Sequence, residues 1–215
     1  MGEPQNSENN EAGRDKKTRH KARMEQRKKI VDEGVARALT ERGVVLLYTG
    51  DGKGKTTAAV GTVTRALGYG YSAFVAQFIK GAWDCGEKNL LQSLPADQYR
   101  LEWQQMGTDF TWETQDFEAD KSAAEALWEK ARRALTDPDV YLVVLDELTY
   151  ALNYRWLDRD DVVAAIEGRP PEQTVIITGR GAKQYLRDLA DTVTEMRPLK
   201  HAFEAGIAAR RGIEW

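Results

Sequence analysis

The sequence is poor in residues that staple or chelate. It has one cysteine and two histidines among 215 residues. A lone thiol, Cys85, excludes an intrachain disulfide, and no Cys or His lies close to it in sequence to make a thiolate metal site. The reducing cytoplasm is the expected setting. Long apolar runs are also missing. None approaches the ~20 residues that span a bilayer, and the hydrophilic N-terminus lacks an apolar leader, so neither membrane association nor secretion is expected. No internal repeat is visible. What remains is 41% hydrophobic and 30% charged residues, the balance of one soluble domain with a real core.

The net charge of −3 conceals an asymmetry. From Arg14 to Lys29, nine Lys/Arg stand against two Asp/Glu, a local +7 that leaves −10 on the rest. Such a basic arm can meet nucleic acid, an anionic partner or the chain's own acidic body, or it can be a solvated face. Residues 1–13 are polar and without periodicity, and are expected to be disordered. Residues 14–42 have helical composition but few large apolar groups, so a helix there needs a surface to lie on. The folded body is expected over residues 43–215.

In that body, strands alternate with helices. "VVLLY" (44–48), "SAFVAQFI" (72–79) and "VYLVVLDE" (140–147) read as strands buried on both faces. "LEWQQM" (101–106), "TVIITGRG" (174–181) and "DTVTEMR" (191–197) add shorter ones. Helices are predicted over 56–68, 114–135, 157–168 with Asp158 as N-cap, and 183–190. The pattern predicts an α/β fold with a mostly parallel sheet covered by helices on both faces.

Between the first strand and helix lies "YTGDGKGKTTAA", Tyr48 to Ala59. The end of the phosphate-loop pattern G-x-x-x-x-G-K-[ST] is present as Gly54-Lys55-Thr56. Its first glycine is replaced by Thr49 and comes one residue late, at Gly50. Glycines at 50, 52 and 54 let the backbone N–H groups line an anion nest, and the helix start adds positive potential. Lys53 and Lys55 supply cations, Thr56 a hydroxyl for Mg²⁺, and Asp51 and Thr57 complete the loop. Asp146 and Glu147 close a strongly apolar strand, where a parallel sheet sets carboxylates beside the loop and its Mg²⁺. Arg180, in "TGRG", ends another strand facing the same crevice. Arg65 lies nine residues past Thr56. Each arginine is equally compatible with a surface ion pair. The absence of an N-K-x-D stretch weakens a GTPase reading, but a phosphate loop alone leaves motors, kinases and ATPases open.

The stretches "TGDGKGKTTAA", "QFIKG", "FTWET", "VVLDELTYAL", "VIITGRG", "ADTVTEM" and "KHAFEAGI" together resemble the corrinoid adenosyltransferase family. "FTWET" and "KHAFEAG" are not general features of phosphate-loop proteins. The family usually has Asn where this chain has Asp51. The resemblance implies a RecA-like fold, usually homodimeric. It implies transfer of the 5′-deoxyadenosyl group of ATP to the cobalt of a reduced corrinoid, with triphosphate as leaving group and a flavoprotein supplying electrons. It casts Lys55, Glu147 and Arg180 as catalytic, residues 50–57 and Arg65 as ATP-binding, and Thr56, Asp146 and Glu147 as the Mg²⁺ site. By spacing, Phe110 and Trp112 are core aromatics sharing a strand face. By resemblance they help displace the lower axial ligand of cob(II)alamin, which eases reduction. The basic arm becomes a lid over the active site. The rival reading is a RecA-like ATPase stimulated by nucleic acid through that arm; under the resemblance, nucleic acid is not an expected partner.

Overall fold

The computed structural model describes residues 5–79, 85–107 and 116–214. The chain divides into two units, residues 1–41 and 42–215. The first contains one helix, α1 (Gln5–Arg37). It begins inside the stretch whose composition suggested disorder. Ion pairs one turn apart, Lys21–Glu25 and Lys29–Glu33, run along it, while Met24, Ile30, Val31 and Val35 are exposed. Such pairs add only a few tenths of a kcal/mol each.

Among the described residues the second unit is built on six strands: β1 (Val45–Thr49), β2 (Ala73–Gln77), β3 (Leu101–Gln105), β4 (Leu142–Asp146), β5 (Thr174–Thr178) and β6 (Thr192–Glu195). They form one sheet in the order β3-β2-β4-β5-β1-β6, and every pairing is parallel. β5 therefore separates the strand that feeds the glycine loop from the strand that ends in Asp146. This is the predicted α/β fold of the phosphate-loop type.

Alternation along the strands serves two cores. Val45, Leu47, Phe74, Ala76, Val143, Leu145, Val175 and Ile177 face one side. There they meet α4 (Phe117–Thr136), α5 (Leu148–Asn153), α6 (Arg159–Glu167) and α7 (Gln184–Leu189). Val75, Trp103, Leu142, Val144 and Ile176 face the other side, under α2 (Lys55–Gly68) and α3 (Gly86–Gln92). In α4, Ala124, Leu127, Trp128, Ala131 and Leu135 are buried at helical spacing. Burying one Leu side chain of this kind contributes about 2 kcal/mol. Asp116 caps α4 by accepting from the Ala119 amide at 3.1 Å, and Asp158 caps α6 by accepting from the Asp160 and Asp161 amides. The last is the cap read from sequence. Helices α3 and α5, of seven and six residues, were not read from the sequence.

The start of the sheet is closed by one carboxylate. Asp191 accepts from both outer nitrogens of the Arg42 guanidinium and from the Val45 amide at 2.8 Å, tying the starts of β1 and β6. Those bonds hold Asp191 down at about 2.

Candidate active site

β1 delivers the chain to the glycine loop and α2 takes it away. Gly50 sits at φ +94, and a Cβ there would lie 2.4 Å from the Met196 carbonyl oxygen. The same carbonyl accepts from the Gly52 amide at 2.7 Å. The segment leaving β6 thus braces the loop from below, and only glycine fits at 50. Lys55 is 6% exposed, its ammonium donating to the Gly50 and Gly52 carbonyls at 2.8 and 2.9 Å. Burial lowers its pKa, opposed by the charge of Glu147. Lys53 is paired instead with Glu214 near the C-terminal end.

Asp146 lies beneath Thr56. The Thr56 hydroxyl donates to Asp146 Oδ1 at 3.0 Å, Thr178 Oγ1 donates to the same oxygen at 2.6 Å, and Gln77 Nε2 donates to Oδ2 at 3.1 Å. Burial raises the Asp146 pKa, and these three bonds work against it. Glu147 follows in the left-handed region, φ +57, with its amide donating to Thr178 Oγ1 at 2.9 Å. A non-glycine residue in that region costs of order 1 kcal/mol and is held there by its surroundings. Glu147 Oε2 is buried without a hydrogen-bond partner. Burial, then the neighbouring Asp146 charge, push its carboxyl up to about 7, against the pull of Lys55 and Arg180.

Arg180 sits between two glycines with positive φ. At Gly179 a Cβ would strike Thr149 Oγ1 at 1.9 Å, so α5 packs directly against the Arg180 turn. The Asn153 amide also donates to the Gly181 carbonyl at 3.3 Å. These elements enclose a cavity of about 730 Å³. Residues 52–57, Glu147 and Arg180 line it, with Gly86, Glu87 and Leu90 on one side and residues 212–214 on another.

The structure thus brings together residues 52–57, Glu147 and Arg180, with Gly50 and Asp146 immediately behind them and Asp51 exposed on the loop. It does not bring Arg65 to the loop. Arg65 is in the last turn of α2, beside Tyr69, Tyr71 and Tyr141 in a separate cavity. Nine residues of helix carry it about 14 Å along the axis from Thr56. Phe110 and Trp112 lie outside the described residues. Sequence reasoning missed Gln77, Thr178, Glu214 and the α3 wall. A polar residue ending an apolar strand, as Gln77 and Thr178 do, was a usable signal; for Glu214 there was none.

A parallel sheet that feeds a glycine loop and helix, with a strand-end carboxylate hydrogen-bonded to the hydroxyl in that helix's first turn, defines a phosphate-loop nucleotide-binding protein. Comparison with known proteins narrows the class. Residues 41–215 match the family described as ATP:corrinoid adenosyltransferase BtuR/CobO/CobP, and residues 6–35 match the family described as cob(I)alamin adenosyltransferase N terminal. The corrinoid adenosyltransferase CobA of Salmonella typhimurium is 51% identical over 197 residues, covering 92% of this chain and 98% of that protein. A corrinoid adenosyltransferase of Pseudomonas aeruginosa is 50% identical over 201 residues, covering 94% and 98%. One from Sinorhizobium is 39% identical over 198 residues, covering 92% of each. The chain belongs to the ATP:corrinoid adenosyltransferase family.

Proposed function

We propose that this cavity is where the 5′-deoxyadenosyl group of ATP passes to the cobalt of a reduced corrinoid. The cob(I) electron pair attacks C5′, the C5′–O bond breaks, and triphosphate leaves. Cob(I) is itself the nucleophile, so no side chain has to generate one. The protein must place C5′ in line with the metal and stabilise the charge that grows on the departing phosphate oxygen. Loop amides, Lys53, Lys55 and Arg180 are the groups assigned to that charge. Lys55 leaves the Gly50 and Gly52 carbonyls for the phosphates, and Lys53 leaves Glu214. Exclusion of water protects both cob(I) and the phosphorus atoms.

The residues fit a small hard cation. Thr56 and Asp146 offer oxygen donors, and Glu147 Oε2 is a buried oxygen with no partner. Among the described residues no three or more His, Cys, Asp or Glu gather into a metal site. Mg²⁺ would therefore share its coordination between Thr56, Asp146, Glu147 and the phosphates, as it commonly does. Bound there, it would neutralise charge on the leaving triphosphate.

The observation that carries the reading is the 51% identity to a named corrinoid adenosyltransferase across 92% of the chain. The nucleic-acid-stimulated ATPase reading is not favoured. Mixing the protein with Mg-ATP and chemically generated cob(I)alamin should give a light-sensitive alkylcobalt spectrum and triphosphate. ADP and phosphate, with no cobalt–carbon bond, would overturn it.

Further roles belong to the same proposal. Among the described residues no helix is long and apolar enough to cross a membrane, and we assign the protein to the cytoplasm as a homodimer served by a reducing flavoprotein. Phe110 and Trp112 are assigned to displacing the lower ligand of cob(II)alamin. Trp112→Ala should then lose more rate from cob(II) than from chemically reduced cob(I); equal losses would make Trp112 structural. The basic arm, residues 14–42, is assigned as a lid beside residues 43–215. Removing residues 1–40 should preserve the thermal transition of the body and raise KM for one substrate severalfold; unchanged kinetics would remove the lid.

A further inference from the structure

All six described strands end in polar residues, and in four neighbouring strands parallel register sets these side by side. Gln105 ends β3, Gln77 ends β2, Asp146 ends β4 and Thr178 ends β5. Gln77 is the register partner of both Gln105 and Asp146. Residues in one register row point to one face, so their side chains can touch. They do, and with a single sense. The Lys88 ammonium donates to Gln105 Oε1 at 2.6 Å, Gln105 Nε2 donates to Gln77 Oε1 at 2.5 Å, and Gln77 Nε2 donates to Asp146 Oδ2 at 3.1 Å. Thr178 closes the row from the other side, donating to Oδ1 while it accepts from the Glu147 amide. Each primary amide is held at both ends, so neither can flip without breaking two bonds.

Aligned donors and acceptors polarise one another, and this chain runs from a cation to a buried anion. Its cationic end is on α3, the helix that gives Gly86, Glu87 and Leu90 to the cavity wall. Its anionic end is the carboxylate that meets Thr56. We infer that Gln77 and Gln105 are positioning residues that hold the Asp146 carboxylate in the orientation required for the Mg-triphosphate and link that orientation to the seating of the α3 wall. Neither glutamine has to touch ATP. With Gln77 on Oδ2 and Thr178 on Oδ1, the carboxylate is clamped on both oxygens, and its remaining lone pairs face Thr56 and the loop. This inference rests on the assignment of Mg²⁺ to Thr56 and Asp146.

Two variants separate relay from packing. Gln77→Leu keeps bulk and removes both bonds. Gln105→Glu still accepts from Lys88 but presents no N–H to Gln77. The readout is the Mg²⁺ concentration that half-restores protection of the folded protein by saturating ATP in thermal melts, compared with the melting temperature without metal or nucleotide. Partners of metal ligands typically set affinity by 10–100-fold. Gln77→Leu should raise the half-restoring Mg²⁺ concentration about tenfold, and Gln105→Glu severalfold, with metal-free melting within a few degrees of the parent. If Gln77→Leu does not fold, Gln105→Glu decides alone. A Mg²⁺ requirement within twofold of the parent in the folded variants overturns the relay and leaves the metal assignment standing. Parent protein whose ATP protection ignores Mg²⁺ overturns the metal assignment and the relay together.

Discussion

The two ends of the sheet treat polarity in opposite ways. At the starts of the strands, polar groups close the chain on itself. Asp191 is taken up by Arg42 and the Val45 amide, and Gln173 Nε2 donates to three carbonyls, of Ala134, Asp137 and Val140. Ser72 links the Asp139 carbonyl to the Tyr141 amide, and Tyr71 stacks on Tyr141 with ring centroids 4.0 Å apart. At the strand ends, Glu147 is held in a left-handed conformation with a buried unpartnered oxygen, Lys55 is folded back on loop carbonyls, and Arg180 stands on a glycine-flanked turn. One end turns most of its hydrogen-bonding capacity to the fold, Gln173 Oε1 being buried without a partner. The other keeps capacity in reserve for a ligand, and carries unfavourable burial while it waits.

The largest expected effect falls on the reserved end. Lys55→Ala removes a buried cation from the cradle, and triphosphate release should fall by about 10²–10³-fold, the scale of losing one preorganised donor. Steady-state assays with cob(I)alamin measure this, and a loss below tenfold would break the assignment. Circular dichroism melts of the variant should match the parent within a few degrees.

Next in size is the burial penalty of Glu147. Its carboxyl is at about 7 in the fold against 4.5 for the free group, so the protonated form is favoured on folding. Its relative stabilisation is complete below pH 4.5 and is lost as pH rises through about 7. At about 1.36 kcal/mol per pH unit this amounts to a penalty on the order of 3 kcal/mol at pH 8. Glu147→Gln should therefore stabilise the ligand-free protein at pH 8 but hardly at pH 4.5, while lowering turnover. Denaturant titrations at the two pH values provide the comparison, and an equal shift at both would contradict the burial argument.

The smallest effect falls on the closed end. Asp191 has its pKa depressed to about 2, so its contribution is present above the ordinary value near 3.8 and lost as pH falls toward 2. The pair is exposed, and solvent screening keeps its contribution small. Asp191→Asn should lower the melting temperature by a few degrees at pH 7, less at pH 3, and leave KM for ATP unchanged. A variant that loses ATP binding without losing stability would erase the distinction between the two ends.

The legible parts of this molecule are those written in consecutive residues. "TGDGKGKT" after an apolar run specified a strand, a nest and a helix start, because the signals for all three are local. Asp146 and Glu147 were legible as acids ending an apolar strand, and Arg180 as a cation ending another. Arg65 misled because distance in sequence says nothing about direction; α2 runs away from the loop. Gln77 and Gln105 are 28 residues apart and acquire their roles only from strand order. Glu214 reaches Lys53 across 161 residues.

By itself the sequence determined the alternation of strands and helices, the glycine loop between the first strand and helix and, through motifs spread along the chain, the family. Each of these depends on periodicity or on neighbours along the backbone. The tertiary structure alone decided which strand lies beside which, and therefore that Gln77 meets Asp146 and Gln105 meets Gln77, that residues 195–197 brace the loop, and that Glu147 Oε2 is buried. Lateral hydrogen bonding and desolvation depend on what approaches from elsewhere in the chain, and no local pattern encodes that.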